Sequence, residues 1–65
     1  MNRNWIEILS NDGGTYSLAQ DLISAVHRKG DGSVIICGAM CYECSAIPYQ
    51  RAQEMAGFIP VNKEQ

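Results

Sequence analysis

The stretch Ser33-Val34-Ile35-Ile36-Cys37 constrains this chain more than any other. Its apolar residues run on without alternation, and glycines stand on both sides of it, in Gly30-Asp31-Gly32 and at Gly38. A continuous run rich in β-branched residues reads as a strand covered on both faces. The run is therefore expected to be the central strand of a sheet, and the other elements are arranged around it.

Upstream, residues 5–9 (W-I-E-I-L) read as a first strand, with Glu7 marking a partly wet face. The turn formers Asn11-Asp12-Gly13-Gly14 close it. Residues 18–29 carry helix signals. Ser17 and Gln20 have the spacing of a capping box, and Asp21 sits in the first turn. Leu18, Leu22 and Val26 recur every four residues, Arg28 and Lys29 end the segment, and Gly30 stops it. The spacing predicts a helix over 18–29 with Leu22 turned to the core. Strand, helix and central strand then form a right-handed parallel crossover.

Beyond Cys37, residues 38–45 read as a loop. Pro48 opens a second helix over 48–56, with Tyr49, Ala52, Met55 and Ala56 as its apolar stripe and Gly57 as its stop. Phe58-Ile59-Pro60-Val61 reads as a short edge strand, because Pro60 cannot donate to a ladder. Residues 62–65 form a polar frayed tail. The expected fold class is α/β, or α+β, with β-α-β-α order and a short third edge strand. All 65 residues belong to one small domain.

A chain of this length buries a modest share of its surface, so metal, disulfide or association often completes its stability. Its 46% hydrophobic content supplies a core and argues against disorder. Charged residues make up only 18%, below the usual quarter, which suggests that another chain covers part of the surface. The formal net charge of −2 gives no basic footprint for nucleic acid, although a weak binder would need only Arg3, Arg28, Lys29 and Arg51 gathered on one face. The first residues, Met1-Asn2-Arg3-Asn4-Trp5, lack the apolar stretch of a signal peptide. No run approaches the roughly eighteen apolar residues of a membrane span. The expectation is a cytoplasmic protein with no membrane partner.

The chemistry-bearing feature is Cys37-Gly-Ala-Met-Cys41-Tyr-Glu-Cys44. Three thiolates at this spacing can converge on one metal, and zinc favours four tetrahedral ligands from cysteine and histidine. His27, the only histidine, completes a candidate set of Cys37, Cys41, Cys44 and His27. Its simpler role is to sit at a helix end. Cys41 and Cys44 have the C-x-x-C spacing of thiol-redox pairs, and three thiolates could hold an iron–sulfur cluster with an open iron. Against both stands the readiness of free cysteine to pack as a small apolar residue. The odd cysteine count speaks against a self-contained disulfide framework. Met40 and Tyr42, beside the thiols, are candidate partner contacts.

No nucleophile, base and oxyanion site converge in the sequence, so an enzyme acting alone is not expected. The leading expectation is a small non-enzymatic regulator or adaptor that binds a protein partner or forms a homodimer, with or without a structural metal. The alternative is a zinc-binding, thiol-redox or iron–sulfur accessory protein.

Overall fold

The computed structural model describes residues 3–61. The expected frayed tail at 62–65 lies outside the described residues. Within them the chain forms five strands and one α-helix: β1 (Trp5–Leu9), β2 (Thr15–Ala19), β3 (Ile23–Lys29), β4 (Gly32–Cys37), β5 (Met40–Cys44) and α1 (Tyr49–Ala56). A single 3₁₀ turn, Gln20–Leu22, joins β2 to β3. Strands and helix are mixed in one small domain, but every strand pair is antiparallel. The parallel β-α-β crossover does not occur.

β1 and β2 form a hairpin sheet, and β3-β4-β5 form a meander with β4 in the middle. Each meander turn is a two-residue loop. Lys29 pairs with Gly32 around Gly30-Asp31, and Cys37 pairs with Met40 around Gly38-Ala39. Gly30 and Gly38 take φ of +58° and +63° at the first loop position. That sign is what a type II′ hairpin turn requires, and its twist matches that of the flanking strands. Gly30 is thus a hairpin residue rather than a helix stop. The expected loop at 38–45 is a turn followed by β5.

The helix expected over 18–29 is replaced by the end of β2, the 3₁₀ turn and β3. A bulge explains how strand residues acquired helical spacing. The pairing of β3 with β4 shifts between Ile23 and Ala25, so Ser24 is the extra residue. The inward side chains are Leu18 on β2, then Ile23 before the bulge and Val26 after it, three residues apart instead of two. Leu22, expected in the core, is 52% exposed. Gln20 makes no capping box. Its side-chain amide donates to the Met55 carbonyl at 2.7 Å, fastening the 3₁₀ turn to the end of α1.

The second helix forms where expected. Pro48 stands at its N-cap in an extended conformation, and Ala52 and Ala56 face the sheet, both buried. Their small side chains let α1 approach β3 and β4 closely. At its end Phe58 N–H donates to Gln53 O at 2.9 Å and Gly57 N–H to Glu54 O at 3.1 Å. This is a Schellman cap, with Gly57 at φ +84°. Phe58 is spent on that cap, and no strand forms over 58–61.

The core lies between the inner face of the meander, the β1–β2 hairpin and α1. Ile8, Leu18, Ile23, Ile35, Cys44, Ala52 and Ala56 are its buried members. Ser33 is buried among them and donates its hydroxyl to Ile47 O at 2.8 Å, so its polarity is satisfied. The hairpin meets the meander at one corner. Asn11 N–H donates to Glu43 O at 2.7 Å, and Ser45 N–H donates to Asn11 Oδ1 at 2.8 Å.

Candidate interaction surface

Directly paired residues of antiparallel strands share a face. The register therefore sorts the meander into two faces. Val26, Ile35 and Tyr42 lie in one row, and Arg28, Ser33 and Cys44 in the next. This is the inner face, packed by α1 and the hairpin. Arg28, at its rim, places its guanidinium carbon 4.6 Å from the centre of the Tyr49 ring on α1. Tyr42 stacks on Tyr16 of β2, with ring centres 4.8 Å apart.

The outer face has a row of Ala25, Ile36 and Cys41 and a row of His27, Val34 and Glu43. Val34, Ile36 and Ala25 are half-buried and lie outside the core cluster. Cys41, His27 and Glu43 are exposed. Lys29 pairs with Glu43 at 3.1 Å. The outer face thus has an apolar centre on β4 and one ion pair, Lys29–Glu43, that bridges β3 and β5. The continuous apolar run predicts a strand covered on both faces. One face is covered by the core, and on the other Val34 and Ile36 are half-buried outside the core cluster. A second apolar exposure occurs on β1, where Trp5 and Leu9 stand outward with Glu7 between them.

The meander also places the candidate metal and redox residues. Strand alternation turns Cys41 outward and Cys44 inward, although only two residues separate them. Cys37 shares the inner face and packs half-buried against the core. His27 is on the outer face of β3, two strands from Cys41, a backbone separation of about 10 Å. The four are divided between the two sides of the sheet. Among the described residues, no group of three or more histidines, cysteines or carboxylates stands close enough to hold one ion. All three cysteines are free thiols.

Burial separates their chemistry. Cys44 has no exposed surface, and that burial pushes its thiol pKa up. Thiol reagents react with thiolate. In native protein near neutral pH, Cys41 is expected to be labelled first and Cys44 only at the rate of unfolding. Timed alkylation followed by peptide mapping checks this, and Cys44 labelled as fast as Cys41 would contradict it. The same shift makes Cys44 a source of stability below the thiol's ordinary pKa. Above that value the unfolded chain ionises first, so the contribution is lost as pH rises through the folded pKa.

Of the two candidate partner contacts, Met40 is 56% exposed at the end of β5, while Tyr42 is half-buried against Tyr16. Asp12 completes a small polar arrangement at the β1–β2 turn. Its carboxylate accepts from Tyr16 Oη and from Gly14 N–H, each at 2.7 Å. The Tyr16 hydrogen bond holds the Asp12 carboxyl below its ordinary pKa, and the same bond raises the Tyr16 phenol. Both groups serve to close the turn.

A cavity of about 70 Å³ is lined by Asn11, Lys29, Ser33, Glu43, Cys44 and Ser45. Small-molecule sites usually start near 300 Å³. Among the described residues, no helix is long and apolar enough to cross a membrane. The signals for the outer face were the Gly-X pairs at 30–31 and 38–39, each between residues able to form strands. Read as hairpin turns, they set the register that separates Val34 and Ile36 from Ile35 and Cys37. Compared with protein-family models, curated proteins and solved structures, the chain matches none.

Proposed function

We propose that this chain is a small protein-binding module, a regulator or adaptor without catalysis of its own, which docks through the outer face of its three-stranded sheet. The observation that supports this reading most is the Val34–Ile36 centre, apolar and outside the core, with charges at its flanks. Such a centre with a polar rim has the composition of a binding patch. The cavity beside Lys29 and Glu43 is about 70 Å³, small for a substrate site. Low overall charge agrees with a surface that spends its time covered.

The test is affinity capture from the native source, with an untagged copy of the chain co-expressed, using wild-type protein and an Ile36→Lys variant. Ile36 is outside the core, so the variant is expected to fold, as circular dichroism would show. A retained protein, whether the untagged copy or another chain, should be lost at least about tenfold from Ile36→Lys, because a charge then sits in the centre of the patch. Equal retention by both proteins would end this reading.

A further inference from the structure

Two aspartyl-glycyl bonds occur in the chain, Asp12-Gly13 and Asp31-Gly32, each at a hairpin turn. Such bonds are prone to rearrange, because glycine has no side chain to shield its amide nitrogen from the preceding aspartate. The two turns present them differently. We propose that Asp12-Gly13 is the chain's site of spontaneous isoaspartate formation, and that the hydrogen bond from Tyr16 to Asp12 sets its rate.

In the reaction the Gly13 nitrogen attacks Asp12 Cγ. The new N–C bond closes a succinimide ring, the C–OH bond of the acid breaks, and the Gly13 amide proton leaves with the hydroxyl as water. A second water opens the ring. Opening at the Asp12 main-chain carbonyl leaves the backbone running through Cβ and Cγ, one carbon longer, with the former main-chain carbonyl as the free carboxylate. Ring closure needs the un-ionised acid, since a carboxylate oxygen is a poor leaving group, and it needs Cγ free to reach the glycine nitrogen. The turn opposes both. One Asp12 oxygen accepts from Tyr16 Oη and the other from Gly14 N–H, each at 2.7 Å, which favours the ionised form and ties the carboxylate to residues 14 and 16. Gly13 N–H is itself engaged, donating to Ser10 O at 3.0 Å. These bonds lie in an exposed turn, and among the described residues nothing would come within 4 Å of a Cβ at Gly13. The ring therefore has room once the Tyr16 bond opens. Asp31 is exposed too, but Gly32 is buried in β4, paired with Lys29 and crowded by the backbone of Cys44 and Ser45. Its nitrogen becomes available only when the meander itself opens, a rarer event than the opening of one turn. The product acts on the neighbouring corner. Asn11 ties the hairpin to Glu43 and Ser45, and an extra backbone carbon beside it breaks that register.

The experiment is timed incubation of the whole chain under physiological conditions, followed by tryptic mapping, with isoaspartate recognised by changed retention at unchanged mass. Trypsin separates the two bonds, because Arg28 and Lys29 lie between them. In folded wild-type protein isoaspartate should accumulate at Asp12 ahead of Asp31. In concentrated urea both bonds should convert at comparable rates, and Asp12 faster than in the folded protein. Tyr16→Phe keeps the ring that stacks on Tyr42 and removes only the hydroxyl. It should speed conversion at Asp12 about tenfold, the loss expected for a hydrogen bond to a charged group, and leave Asp31 unchanged. Asp31 thus reports on global unfolding inside the same molecule. In the aged protein, amide shifts should move at Asn11, Glu43 and Ser45 and stay fixed at Ile35. The inference is overturned if folded wild-type protein converts at Asp31 as fast as at Asp12, or at Asp12 as fast as in urea. A Tyr16→Phe variant that ages like wild type also overturns it. So does one in which both bonds speed up in step, since the phenol would then act through the stability of the whole fold.

Discussion

Replacing Ile35 with alanine should destabilise the protein by about 2–5 kcal/mol. Ile35 has no exposed surface and lies at the middle of the middle strand, between Val26 and Tyr42. Its side chain fills the space beneath α1, where Ala52 and Ala56 have no length to spare for a cavity left behind. Small domains hold about 5 kcal/mol in total, so this loss is expected to leave a substantial unfolded population on mild warming. Urea unfolding followed by circular dichroism measures it. Ile35→Val should cost about 0.5–1.5 kcal/mol by the same route. A loss for Ile35→Ala below about 0.5 kcal/mol would place the residue outside the core.

The second large effect is expected at Gly32. A Cβ there would stand 2.6 Å from the Cys44 carbonyl oxygen and 2.6 Å from Ser45 Cα. Both are backbone atoms where β5 passes the start of β4, so no flexible side chain can yield. Gly32→Ala must push the two strands apart, and overpacking of this kind costs about 1–3 kcal/mol. The damage should be local as well. Amide shifts should move most at Cys44, Ser45 and Asn11, whose hydrogen bonds hold this corner. An alanine variant as stable as wild type, with those amides unmoved, would mean that the strands are not this close.

The parts of the fold legible in the sequence were those whose periodicity no irregularity disturbed. Residues 5–9, the run ending at Cys37 and the helix ending at Gly57 were each marked by composition and by turn residues. Residues 18–29 were not, because two departures from a regular strand fell close together. The 3₁₀ turn and the Ser24 bulge put the inward side chains at Leu18, Ile23 and Val26, and with the exposed Leu22 between them the apolar residues took on helical spacing. Gln20 strengthened the impression, since a glutamine three residues after a serine suggests a cap, although its bond is to Met55. The candidate site was legible only in part. A run such as Val34-Ile35-Ile36-Cys37 does not say which of its side chains face the core until its pairing is known. Cys41 and Cys44 were close in sequence, but an extended strand turns residues of odd separation to opposite sides.

The bond from Gln20 to Met55 has a consequence for synthesis of the chain. The meander is made of neighbouring hairpins, and hairpins of this kind close in microseconds once their residues are free. Its inner face stays wet until Ala52 and Ala56 arrive, and the fastening from Gln20 to Met55 spans 35 residues. While the ribosome adds residues at roughly 5–20 per second, the meander therefore waits seconds for its cover. During that interval both of its faces offer apolar surface to whatever is nearby, including a nascent copy on the next ribosome along the same message.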